Sequence, residues 1–458
     1  MKAYLNVVVA ILVGWRVNGG IAAELPVETF FRNYQYNEVK ISPDGNYLAA
    51  LAPIKERVGV AVVDLATRKA NWAYANRGAD VHSFEWISTN RLIVGFTKEI
   101  YALGGLIAVN RDGSKISTLI QPLDFRTRFF RALPDSPDEI LVTTLANVSK
   151  DAVSGLRFPN VARMNVFTGH MKTEVPNPGH VVEWLTDHQN IVRIGVALEE
   201  HARFKVLHRA GASATWQSIA EFDYKDDGIW PMGFDHDNKT LFIGSCGDRD
   251  TEGLYTFDIE KKQIKDLGFS HAQVDVGKLM FSAGTLVGIT YETDRPQTLW
   301  LRPREKAIQA SVDKALPETL NRVVSTSEDW GKVVLRASAD RSPGTFYLLD
   351  IATSKMEKLF DLAGWVDPNE MAEMKAIEYQ SRDGLTIHGY LTLPKGSSGK
   401  NLPLVVNPHG GPALRDVWGF DREVQFLANR GYAVLRMNFR GSTGYGKRFT
   451  RLAANNGG

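Results

Sequence analysis

The sequence predicts two architectures in succession: an all-β propeller of seven blades and, after it, the opening of an α/β sheet. A short phrase recurs seven times between Val39 and Phe360, and a second phrase keeps step with it. After Phe360 the run of short alternating strands gives way to a strand, helix, strand order.

The recurring phrase is an apolar strand closed by a polar residue, then a turn and often a basic residue. It reads Val62-Val63-Asp64 before Ala66-Thr67-Arg68-Lys69, and Ala108-Val109-Asn110 before Asp112-Gly113-Ser114-Lys115. It returns as Arg163-Met164-Asn165 before Thr168-Gly169, Thr256-Phe257-Asp258 before Lys261-Lys262, and Leu348-Leu349-Asp350 before Thr353-Ser354-Lys355. Weaker copies end near Arg209 and Arg302. Seven copies at a period of roughly 45–50 residues match four-stranded propeller blades. The second phrase is a polar turn ahead of an apolar strand, as in Ser42-Pro43-Asp44-Gly45, Ser136-Pro137-Asp138-Glu139 and, more loosely, Asp235-His236-Asp237-Asn238. A large sandwich or two smaller all-β domains would need no such repetition. Asp235 to Asn238 looks metal-like in isolation, but a calcium loop of the EF-hand type needs a Glu where Cys246 stands. These residues are read as turn formers.

Residues 1–23 read as a signal peptide: Met1-Lys2, an apolar run from Tyr4 to Trp15, then small residues at Gly20, Ala22 and Ala23. The run falls short of the roughly 20 apolar residues a membrane span needs. An exported protein, periplasmic or extracellular, is therefore expected, without stable membrane insertion after cleavage. The remainder has the make-up of a folded globular chain, with 44% hydrophobic and 23% charged residues among 458. With 54 basic against 52 acidic residues there is no global field to draw nucleic acid. Cys246 is the sole cysteine, so core packing rather than a disulfide must hold the chain together.

The propeller is assigned to 39–360 and a polar linker to 361–373, with a different organisation over 374–458. Lys375 to Tyr379 and Leu385 to Leu391 form two strands joined at Arg382-Asp383-Gly384. Leu402 to Pro408 is a short apolar strand ending at His409-Gly410-Gly411-Pro412, Phe420 to Arg430 fits a helix, and Tyr432 to Leu435 is another buried strand. Glycines at a strand's carboxyl end let backbone N–H groups approach a developing oxyanion, and they equally suit an ordinary strand-to-helix turn. The residues alone leave both open.

Ser381-Arg382-Asp383-Gly384-Leu385, Tyr390-Leu391-Thr392-Leu393-Pro394, His409-Gly410-Gly411-Pro412 and Asn438-Phe439-Arg440-Gly441-Ser442-Thr443-Gly444-Tyr445-Gly446 together resemble the prolyl oligopeptidase family. The likeness is to its acylaminoacyl-peptidase and dipeptidyl-peptidase branch. The resemblance implies a propeller ahead of an α/β-hydrolase domain, a Ser-Asp-His serine peptidase acting on peptides, and restricted access to its site. By that analogy Gly411, with Gly410, supplies backbone oxyanion donors, and His409 and Pro412 support the motif.

A hydrolase of this kind carries its nucleophile in G-x-S-x-G, with the Asp and His later in the chain. No Ser here has Gly both two before and two after it, and the last histidine is His409. No residue is therefore assigned as nucleophile, base or acid, and 374–458 is expected to be an incomplete, inactive hydrolase domain. A site built from His388 or His409 with Ser442 is the minor alternative, and a binding propeller with a vestigial appendage is the competing function. No cofactor is expected, since Gly444-Tyr445-Gly446-Lys447 lacks the third glycine of a dinucleotide loop and the spacing of a phosphate loop.

Overall fold

The computed structural model describes residues 24–97, 104–121, 124, 126–145, 158–223, 226–411 and 413–455. The expected signal peptide, 1–23, and Pro412 lie outside the described residues. Seven antiparallel sheets follow one another along the chain, at 39–74, 80–120, 127–175, 181–223, 230–269, 276–300 and 320–361. Each pairs its strands in sequence order, and several first strands touch the first strand of a neighbouring sheet. This is the propeller that the repeated phrase predicts.

The phrase sits at one structural position throughout. In its five clear copies the polar residue ends the third strand, and the turn after it leads to the fourth. In four of the five its side chain accepts backbone N–H groups that the turn leaves over: Asp64 takes those of Ala66 and Thr67, Asn165 those of Phe167 and Thr168, Asp258 those of Glu260 and Lys261, and Asp350 that of Thr353, whereas Asn110 accepts from the Arg91 guanidinium. The second phrase always joins first strand to second. At Asp237 the carboxylate accepts from the N–H groups of Lys239 and Thr240, the behaviour of a turn former. The sixth blade departs from expectation, because it has three strands and then helix α2, Pro303–Ala315. Only Glu305 and Val312 of that helix are buried, so its apolar stripe is too thin to register against the strand pattern.

Packing lies between the blades. One apolar cluster joins each neighbouring pair, for example Ile93 and Ala108 with Ile140 and Val142, or Ile194 and Val206 with Leu241 and Ile243. A sheet covered on both faces needs apolar residues at successive positions, hence the unbroken buried run from Arg91 to Phe96. Blades one and seven share no strand. Their seam is the cluster of Val39, Ile41, Leu48 and Ala50 against Val334, Phe346, Leu348 and Leu362.

Residues 361–373 lead into an eighth sheet. Met374–Gln380 pairs antiparallel with Thr386–Thr392, which pairs antiparallel with Ala433–Asn438, which pairs parallel with Leu404–Val406. Leu404–Val406 is therefore an edge strand, and its Leu404 and Val406 are exposed. Helix α3, Arg422–Asn429, begins where Asp421 accepts the Val424 N–H, and helix α4, Lys447–Asn455, follows the last strand. The first helix of the chain, α1 (Val27–Phe31), packs not on a blade but on α3, with Phe30 and Phe31 edge-on to Phe426.

Candidate active site

Three of the four motifs meet at one end of the eighth sheet, the 381–385 hairpin with 409–411 and 438–446, whereas Tyr390 to Pro394 runs to the opposite end, where Thr392 pairs with Met374 and Val434. In the first hairpin Gly384 takes φ +81°, and Asp383 beside it receives a two-pronged contact from the Arg440 guanidinium at 2.9 and 3.0 Å. Those bonds, with that from Ser381, hold the Asp383 carboxyl well below the usual range. Gly410 and Gly411 lie exposed beyond the carboxyl end of Leu404–Val406. A Cβ on Gly411 would stand 2.9 Å from the Ala413 nitrogen, and its φ is +135°, so this position requires glycine; Gly410 faces open space.

His409 fixes this loop. Its Nε2 lies 2.8 Å from Ser442 Oγ, its Nδ1 2.7 Å from the Gly410 carbonyl oxygen, and its ring stacks on Phe439 with centroids 4.4 Å apart. The structure thus brings His409 and Ser442 together, with Ser442 fully buried. It does not bring His388 to them: that ring stacks on Tyr445, and its Nδ1 lies 3.0 Å from Glu378.

Two further glycines of the late motif have steric causes that the sequence did not disclose. A Cβ on Gly444 would meet the Arg415 guanidinium at 2.6 Å, and one on Gly446 would meet the Asp250 carboxylate at 2.9 Å; both have φ +89°. Arg415 stacks over Tyr445 and donates to its hydroxyl at 2.8 Å, and the Asn438 amide donates to the same oxygen. Burial pushes the Tyr445 phenol up, and that of Tyr390 to about 12.

Sequence reasoning missed the propeller's share of this site. Loops of blades five to seven reach the eighth sheet: Asp250 and Asp275 meet residues 444–448, Tyr390 donates to the Asp294 carbonyl, and Asp340 accepts the Met374 N–H. Beside them Glu252 is pushed up to about 7, by burial first and then by Asp275 and Asp227. Burial also raises Asp275, outweighing the two N–H groups its carboxylate accepts. A cavity of about 680 Å³ opens between blades six and seven and Trp418, with Glu292, Arg295 and Arg322 on its wall. Glu292 is raised by burial, although Arg322 and Arg415 pull the other way. The signal that could have found this surface was the acidic residues Asp250, Asp294 and Asp340, each in the turn between the second and third strands of its blade, which look the same as any solvated turn.

A profile of the prolyl oligopeptidase family matches residues 418–458. Dipeptidyl aminopeptidase BIII of Pseudoxanthomonas mexicana is 26% identical over 454 residues, covering 92% of this chain and 62% of that protein. Dipeptidyl peptidase family member 6 of Caenorhabditis elegans is 22% identical over 93% of this chain and 62% of its own. Over most of its length the chain is similar to dipeptidyl peptidases, and its residues 418–458 match the prolyl oligopeptidase family. It spans about three-fifths of the length of these relatives. Its fold is that of solved family structures: a prolyl endopeptidase aligns with a TM-score of 0.71 at 11% identity, over 93% of this chain and 64% of that one. A puromycin hydrolase aligns with a TM-score of 0.64 at 14% identity, over 96% and 72%. Among the described residues no helix is long and apolar enough to cross a membrane.

Proposed function

We propose that this chain is the amino-terminal portion of an exported serine-type peptidase, which cleaves peptides by acyl transfer behind an access-limiting propeller. The observation that carries this is the Gly410-Gly411 loop, held by His409 and exposed at a strand's carboxyl end where backbone N–H groups can meet an oxyanion. In this reading Gly411, seconded by Gly410, stabilises the tetrahedral intermediate. Loss of one such donor costs about 10²–10³ in kcat in other hydrolases. His409 shapes the loop. Ser442 is an anchor, since a nucleophile must reach substrate and this hydroxyl is fully buried. The nucleophile, its base and its orienting acid belong to a G-x-S-x-G turn and later residues, which 1–458 does not contain.

A fluorophosphonate probe tests this on two proteins, the 458-residue chain and the product of the whole reading frame. The expected result is no labelling of the first, and stoichiometric labelling of the second with hydrolysis of dipeptidyl or acylaminoacyl anilides. Labelling of the 458-residue chain would overturn the role given to Ser442. Absence of labelling in both would overturn the serine-type reading.

A further inference from the structure

Helix α4 begins without a cap of its own. The residue before it is Gly446, whose carbonyl accepts the first helical bond, from Thr450 at 3.2 Å, and glycine has no side chain to receive the free N–H groups of the first turn. Those groups are taken by the propeller. Asp250 Oδ1 accepts the Arg448 N–H at 2.9 Å, the Asp250 carbonyl accepts that of Lys447 at 3.0 Å, and Asp275 Oδ2 accepts that of Gly446 at 3.2 Å. The Asp275 N–H returns a bond to the Gly444 carbonyl at 3.1 Å. Two carboxylates at a helix N-terminus also oppose its positive end, which adds to each bond. The glycine at 446 is what lets the Asp250 carboxylate come this close.

The first turn of α4 in turn holds the late motif. The Phe449 carbonyl accepts the Gly441 N–H at 3.0 Å, and Thr450 Oγ1 donates to the Ser442 carbonyl at 3.3 Å. Ser442 is the residue whose hydroxyl meets His409. We propose that Asp250 and Asp275 are positioning residues of the Gly410-Gly411 loop: they cap α4 from the propeller, and the order they impose passes through Gly441 and Ser442 to His409. The catalytic importance of this chain of contacts rests on the oxyanion reading of that loop; its existence does not.

The experiment uses the 458-residue chain and needs no activity. Hydrogen exchange is followed at residues 441–449 and the His409 ring is followed by nitrogen-15 resonances in histidine-labelled protein, for Asp250→Ala, Asp275→Ala, Asp250→Asn and Ser442→Ala. Loss of a helix cap to Ala typically corresponds to roughly a five- to tenfold change in local opening. Asp250→Ala is expected to speed exchange at 447–449 by about that factor, to speed it at 441–443, and to shift the His409 ring signals. Asp250→Asn keeps an oxygen that accepts from Arg448 and is expected to restore most of the protection. Asp275→Ala should act in the same direction at Gly446, whose N–H the Asp275 carboxylate accepts. Ser442→Ala should shift the His409 signals while 447–449 stay protected. Blades one to three serve as the folding control in every variant. Unchanged exchange at 447–449 in both alanine variants of the propeller would overturn the capping. Fast exchange there with unmoved His409 signals would overturn the transmission. Either result leaves the peptidase reading intact, and failure of fluorophosphonate labelling leaves this proposal intact.

Discussion

The propeller is closed on itself and joined to the eighth sheet by two kinds of surface. The seam between blades one and seven is apolar, with Val39, Ile41, Val334 and Phe346 all nearly inaccessible, and only a few polar ties accompany it, such as the Ile41 N–H to Ser325 Oγ at 3.1 Å. The junction with the eighth sheet has an apolar part, Leu320 and Ala339 against Met374, Tyr390 and Trp418, but it also carries directed polar contacts: carboxylates meet backbone N–H groups, Arg295 lies over Trp418, and Glu252, Asp275 and Glu292 are all shifted toward protonation by burial. Apolar burial is non-directional and proportional to area, so the seam holds through small shifts of its parts. Polar bonds depend on direction and charge, and buried orphans such as Glu292 Oε2 and Arg415 Nε make the junction sensitive to small changes. The ring is closed mainly by apolar area, whereas the contact with the eighth sheet adds directed polar bonds to its apolar part.

The largest expected effect breaks the seam. Phe346 is 2% exposed and sits edge-on to Phe360 with centroids 5.7 Å apart. Phe346→Ala is expected to cost about 3–5 kcal/mol of propeller stability, read from the denaturant midpoint at constant slope. A loss below about 1 kcal/mol would mean that the seam does not carry closure.

Next in size is a pH effect at the junction. Glu252 has its folded pKa raised from 4.5 to about 7, so between those values the folded state binds more protons than the unfolded one. Stability therefore falls as pH rises from about 4.5 to about 7 and levels off above. At about 1.4 kcal/mol per pH unit the difference is at most about 3 kcal/mol. Comparing wild type with Glu252→Gln across pH 4.5–8 isolates this contribution, and parallel profiles would remove Glu252 from the account. Smaller again is Gly446→Ala, which forces a Cβ into φ +89° against the Asp250 carboxylate, at about 1–3 kcal/mol. Its loss should appear as faster exchange in α4 with blade-one amides unchanged.

What the sequence revealed and what it hid follow the same division. The blades were legible because most of them repeat a local solution, a strand-ending Asp or Asn that, in four blades, accepts N–H groups of its own turn, and local chemistry leaves a local signature. The His409-Gly410-Gly411 loop was legible through its motif. The partnership of His409 with Ser442, 33 positions apart, surfaced only as a minor alternative, and with a different role from the one its burial supports. Asp250 and Asp275 were invisible, because they lie roughly 170–200 positions from the residues they serve and resemble any turn carboxylate. Helix α2 was missed because a helix with two buried residues has almost no periodic pattern to read.

The smallest expected effect tests the polar part of the seam. Arg68 donates to Glu357 at 2.7 Å across blades one and seven, with 53% and 36% of the two side chains exposed. An ion pair this open gains little Coulomb energy in water and must order two long side chains, so Arg68→Ala is expected to change stability by less than about 0.5 kcal/mol. The same substitution in a Phe346→Ala background should add nothing further, because salt-screened surface charge cannot substitute for buried area. Measured at low and high salt, a cost above about 1 kcal/mol that vanishes with salt would show that closure of the ring is electrostatic after all, and that seam and junction differ in degree rather than in kind.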